Sequence, residues 1–211
     1  MKSDEIKRLI EIILHLFWPV NCPVCGRIGK VFCDECVKEL FNNEVITKYH
    51  ESLKINSAAW YHTRINELIS EFKYSGVKSL CRPFGKSMAK FFGRPENIDY
   101  LVPVPLHLKS RRTYNQAFEI AKGMSEIWGI KILECSKWSY VMPARAGMNL
   151  DERRKLKSDA FTITKEIKGY NVAIIDDVCT TGLTLLRFSE VLKNSGANVI
   201  KAYTLATVRG E

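Results

Sequence analysis

The sequence predicts an α/β fold: a parallel sheet flanked by helices, preceded by a small N-terminal module built on four cysteines. Three observations predict it. Two apolar runs, residues 100–105 and 172–175, read as buried strands. Each is followed by a loop and then by apolar residues at helical spacing, as strands of an open parallel sheet are. Near the start, Cys22-Pro-Val-Cys25 and Cys33-Asp-Glu-Cys36 stand seven residues apart.

Length and composition fit that plan. A chain of 211 residues suits one medium domain and a small module, here 1–42 and 57–211, with 42–56 as a polar link. At 46% hydrophobic residues it can bury a sizeable core, and a formal charge of +9 favours anionic partners, whether phosphates, nucleic acid or an acidic membrane surface. No stretch reaches the roughly 18 apolar residues of a membrane span. Glu11 and His15 interrupt the apolar half of residues 1–18, and no small-residue cleavage site follows, which argues against a signal peptide. Seven cysteines, four of them in tight pairs, point to metal binding in a reducing compartment, hence a cytoplasmic protein.

In chain order, residues 4–17 read as an amphipathic helix with a docking face, stopped by Pro19. Cys22, Cys25, Cys33 and Cys36 can surround one structural Zn²⁺ tetrahedrally. Gly26 permits a tight knuckle after the first pair, and Arg27 and Lys30 offset the negative charge of a tetrathiolate. Residues 34–41 read as a short helix closing the module, 58–61 as a strand, 65–74 as a helix ending near Lys73, and 80–92 as a helix interrupted at Pro83. The strand at 100–105 ends in two prolines, which exclude a continuing central strand. They fix a basic loop through residue 113 that contains Pro105, Leu106, His107, Lys109, Arg111 and Arg112, and arginine forks match phosphate oxygens. A helix follows from Tyr114-Asn115-Gln116 to Trp128. Residues 132–138 read as an edge strand, 149–154 as a capped helix start, 160–163 as a strand and 197–206 as the last strand of the sheet.

The richest stretch is 172–184. After the strand come Asp176 and Asp177, then Cys179, Thr180, Thr181, Gly182, Leu183 and Thr184, then a helix. Free N–H groups at a helix start and the helix dipole cradle a phosphate, Gly182 lets the backbone approach it, and the threonines add hydroxyl donors. The two carboxylates repel phosphate. They suit vicinal ribose hydroxyls or a Mg²⁺ ion held partly by the ligand. Sugar hydroxyls beside a 5-phosphate describe a phosphoribosyl group.

Asp-Asp-Val-Cys-Thr-Thr-Gly after a hydrophobic strand resembles the phosphoribosyl pyrophosphate signature of type I phosphoribosyltransferases. Taken with the N-terminal cysteine pairs after Phe-Trp-Pro, with Phe-Lys-Tyr-Ser-Gly, Val-Pro-Val-Pro-Leu-His and Arg-Arg-Thr-Tyr-Asn-Gln, the chain resembles the ComF family over nearly its whole length. That resemblance implies a zinc module joined to a type I phosphoribosyltransferase-like domain, and partners among phosphoribosyl pyrophosphate or a related sugar phosphate, single-stranded DNA and competence proteins. It places residues 143–154 in a hood from which Arg145, Arg153 and Arg154 reach the ligand. This chain has Ala-Arg-Ala-Gly where the family often has a Gln. The superfamily's purine enzymes carry an acid at the position of Thr180, so a purine acceptor is disfavoured. No residue is assigned to catalysis. The expected function is ligand binding coupled to handling of incoming single-stranded DNA in natural transformation. The alternatives are a working phosphoribosyltransferase with an unidentified acceptor and a ligand-sensing regulator, the latter lacking a helix-turn-helix signature.

Overall fold

The computed structural model describes residues 21–28, 32–74, 80–107, 110, 112–139 and 160–209, with the side chains of 71–74 left aside. The expected helix at 4–17, Lys30, the Lys73 side chain, Lys109, Arg111 and the whole of 143–154, with Arg145, Arg153 and Arg154, lie outside the described residues. Two compact units divide between Leu40 and Phe41.

In the first unit a knuckle precedes helix α1 (Asp34–Leu40). An Asn21–Ile28 bridge closes the knuckle, and Gly26 takes φ 74° in its turn. Asp34 and Glu35 sit in the first turn of α1, where the helix dipole favours acids.

The second unit runs β1 (Ile46–His50), β2 (Leu53–Trp60), α2 (Thr63–Tyr74), α3 (Cys81–Phe92), β3 (Tyr100–Pro103), α4 (Gln116–Trp128), β4 (Lys131–Ile132), β5 (Ser136–Trp138), β6 (Phe161–Ile163), β7 (Asn171–Cys179), α5 (Leu183–Asn194) and β8 (Asn198–Thr207). Its main sheet has six strands in the order β1-β2-β8-β7-β3-β4, and β5 pairs with β6 in a sheet of two. Every neighbouring pair of the main sheet is parallel except β1 with β2, so the expected parallel sheet is a mixed one with an antiparallel edge.

From β3 the chain crosses through α4 to β4 on one side, and from β7 through α5 to β8 on the other. Right-handed crossovers in opposite directions put the helices on opposite faces. Val172–Ile175 is therefore covered on both sides and fully buried, which explains its unbroken apolar run. Val172 and Ile174 pack with Leu185, Phe188 and Leu192 of α5. Helices α3 and α4 cross with their backbones in contact. A Cβ at Gly85 would lie 2.0 Å from the Ile120 carbonyl oxygen, and one at Gly123 2.0 Å from that of Arg82. The Trp128 indole donates to the Ala89 carbonyl at 2.9 Å, and Lys86 meets Glu126 at 2.8 Å across the same crossing.

Four expectations need correction. The stretch 42–56 is not a linker. It holds β1 and the first half of β2, and the outward residues of β1 are polar because it is an edge. Helix α3 is not interrupted at Pro83, which falls in its first turn, where the missing N–H has no intrahelical acceptor to lose. The segment 132–138 is not one strand. Its start joins β3, and after a break at 133–135 the chain leaves for the small sheet. Finally, β7 runs on through Cys179, so Asp176 and Asp177 lie inside a strand paired with β8 and not beyond its end.

Candidate functional site

Strands β3 and β7 are neighbours, and their following crossovers depart in opposite directions. That makes their carboxyl ends a topological switch point, where open α/β sheets form a crevice. A cavity of about 430 Å³ lies there. The loop after β3 contributes Pro105, Leu106, His107, Ser110 and Arg112, the start of α4 contributes Asn115 and Gln116, β7 with its loop contributes Asp176, Asp177 and Thr180, and the first turn of α5 contributes Thr184.

The walls are held by local hydrogen bonds. Asn115 caps α4 by accepting from the Phe118 N–H at 3.4 Å, while its amide donates to the Val104 carbonyl at 2.9 Å. The loop is thereby tied to the helix start. The Ser110 N–H donates to the His107 carbonyl at 2.8 Å, and Arg112 donates to the buried Gln116 side chain at 3.2 Å. Trp138, from the small sheet, donates its indole N–H to the Pro105 carbonyl, and its ring lies 4.8 Å from that of His107. Asp176 accepts from the Asp177 N–H and Asp177 from the Val178 N–H, each at 2.8 Å, so both carboxylates are oriented by backbone donors. Asp176 is half-buried and Asp177 buried.

Gly182 adopts φ 76° at the N-terminus of α5, where the first N–H groups have no intrahelical acceptor. Thr181 accepts from the Leu183 N–H at 3.4 Å. Thr180 and Thr184 line both the large cavity and a smaller recess that also touches Cys179 and Gly182. Thr181 and Leu183 are absent from both linings. Burial pushes the Cys179 thiol up. Sequence reasoning missed Trp138, Ser110 and Val178 as lining residues and took Asn115 and Gln116 only as a helix start. A polar pair at the beginning of a helix that follows a basic loop was the available signal for the latter two.

In the N-terminal unit the Sγ atoms of Cys22, Cys25, Cys33 and Cys36 all lie within 4.8 Å of one another, and Cys25 and Cys33 are 3.6 Å apart. Four thiolates about 2.3 Å from one ion would stand about 3.8 Å apart at the corners of a tetrahedron. The donor set therefore fits a metal ion. Burial opposes ionisation of Cys22, but backbone N–H groups of Cys33, Cys25 and Val24 outweigh it and bring the thiol down to about 6. Burial and the neighbouring cysteine sulfurs push Cys36 up. Arg27 pairs with Glu35 at 2.9 Å and feels Cys33 and Cys25 as negative charges.

Residues 75–211 match the family described as the phosphoribosyl transferase domain. The chain belongs to that family. Among curated relatives of this phosphoribosyl transferase domain protein, competence protein ComFC of Bacillus subtilis is 27% identical over 87% of this chain and 76% of its own. The DNA utilization protein YhgH of Escherichia coli K12 is 22% identical over 87% of this chain and 88% of its own. An adenine phosphoribosyltransferase crystal structure aligns over 81% of this chain and 88% of its own, with 18% identity and a TM-score of 0.43. The ComF resemblance read from the motifs is thus borne out along most of the length. Among the described residues no helix is long and apolar enough to cross a membrane.

Proposed function

We propose that the chain binds phosphoribosyl pyrophosphate or a related sugar phosphate at the switch point, and that it uses this ligand while handling incoming single-stranded DNA in natural transformation. The carrying observation is that two oriented carboxylates, the hydroxyls of Thr180 and Thr184 and the Arg112 guanidinium border one cavity of about 430 Å³. Such a volume suits a small ligand. Asp176 and Asp177 would meet the ribose hydroxyls, the start of α5 with Thr180, Thr181 and Thr184 the 5-phosphate, and His107 and Arg112 the pyrophosphate. Mg²⁺ would bridge ligand oxygens and neutralise charge there. A Zn²⁺ ion in the four-cysteine cluster would be structural, its coordination filled by protein. The DNA role draws on the names of the relatives and on the charge of +9.

One observation favours a second reading, transfer to an acceptor. A cavity of about 270 Å³, bordered by Glu134, Ser136 and Lys137, shares Pro105, Leu106, Asn115 and Trp138 with the first. An acceptor there would attack the anomeric carbon. The bond to pyrophosphate would break, the new glycosidic bond would form, and the acceptor would lose a proton.

Calorimetric titration with phosphoribosyl pyrophosphate and Mg²⁺ tests the reading. Wild type should bind, and Asp176→Ala with Asp177→Ala should bind at least tenfold more weakly while unfolding at a similar midpoint. Equal affinity of the two proteins would refute it.

A further inference from the structure

The carboxyl edge of the sheet carries a second group of residues, outside the switch-point cavity. Trp60 is the last residue of β2 and is half-buried. The Lys48 ammonium lies 5.6 Å from the centre of its ring and the Arg209 guanidinium 5.5 Å. These side chains come from three separate segments. Among the described residues neither cation has a carboxylate partner, and Lys48 donates only to the Val208 carbonyl. One cation over an indole is stabilising. Two converging on the same ring repel each other, and an anion between them would relieve that. Tyr61 and Val208, which follow Trp60 and its β8 partner Thr207, are each 36% exposed.

The position relates this group to the signature loop. Trp60 pairs with Thr207 of β8, and Thr207 pairs with Cys179 of β7. The Val208 N–H also donates to the Cys179 carbonyl at 3.1 Å. With strands about 4.8 Å apart, two strand spacings put Trp60 roughly 10 Å from the end of β7, within one or two nucleotides of the loop.

Resting on the DNA reading above, we propose that this edge is a landing platform for single-stranded nucleic acid. A base stacks on Trp60 as Lys48 and Arg209 swing off the ring to meet the flanking backbone phosphates. An indole accepts any base, because every base has a π-face, and the two cations follow the backbone without reading sequence. A duplex hides its base faces, so it should bind here less well than a single strand.

The test is fluorescence anisotropy of a labelled oligo(dT) strand against the full-length protein over a range of salt concentrations. Trp60→Ala should weaken binding roughly tenfold with little change in salt dependence, and Trp60→Phe should restore most of the affinity. Lys48→Ala with Arg209→Ala should flatten the plot of log K against log salt by about 1.4, two single-strand phosphate contacts at about 0.7 each. Wild-type affinity in Trp60→Ala, or displacement of the strand by poly-glutamate as readily as by unlabelled DNA, would overturn the platform while leaving a DNA partner possible elsewhere. No DNA binding by wild type would overturn the DNA reading itself.

Discussion

Replacing Gly182 with alanine probes the turn on which the candidate site is built. Gly182 sits at φ 76°, and an L-residue in that region costs about 1–2 kcal/mol. An added Cβ would also stand 2.7 Å from Cδ2 of His50 and 3.5 Å from Cδ1 of Ile55. The ring must withdraw. Because it belongs to a half-exposed edge strand it can do so for on the order of 1 kcal/mol, the low end of overpacking costs. The sum is about 2–3 kcal/mol, which for a chain of this length lowers the melting temperature by roughly 5–10 °C. A His50→Ala background removes the contact but not the strain, so there Gly182→Ala should cost only about 1–2 kcal/mol. Urea unfolding of the four proteins measures both quantities. A Gly182→Ala midpoint equal to wild type would refute the strain argument, and an equal loss in both backgrounds would refute the His50 contact.

Two further predictions concern the rest of the molecule. Elemental analysis of purified protein should find about one zinc per chain, as a closed tetrathiolate site requires. Cys22→Ser with Cys36→Ser should lose it, and retention of the metal by that variant would place it elsewhere. Gly123→Ala should destabilise by about 3 kcal/mol or more, beyond ordinary overpacking, because its Cβ would meet backbone on both sides: the Arg82 oxygen at 2.0 Å and the Lys86 nitrogen at 2.7 Å. A denaturation midpoint within error of wild type would show that α3 and α4 do not cross so closely.

Much of the main unit was legible because its signals are local. The run Val172–Ile175 reads as strand from its residues alone, since helices on both sheet faces leave no position that must be polar. Helix α4 is bounded by an Asn cap at Asn115 and by Gly129 in the left-handed region, both visible in the sequence. The cysteine spacing needs no tertiary information. What stayed hidden depends on partners distant in sequence. The reach of β7 beyond Ile175 is set by pairing with β8 as far as Thr207, and no residue within 176–179 announces it. Trp138 lines the cavity because β5 leaves the main sheet to pair with β6, some twenty residues further along. A short apolar segment does not say which sheet it joins.

The misread segment 42–56 has the largest consequence for function. In β1 the alternation of Ile46, Lys48 and His50 with Thr47 and Tyr49 resembles a polar linker because Ile46 is that strand's only apolar inward residue. Folded as the antiparallel edge, the same alternation points Lys48 and His50 to one side of the sheet. That side holds Leu53 and Ile55, their cross-strand neighbours, beside α5. His50 therefore packs on Gly182 at the turn, and Lys48 reaches Val208 and Trp60 at the sheet edge. An inward strand face bearing a lysine and a histidine would be costly in a closed core. Beside the start of α5 and the Trp60 ring, the same two polar side chains instead lie where anions are expected. The polarity that disguised β1 as a linker is thus what the edge needs if a phosphate-bearing strand is to lie across it.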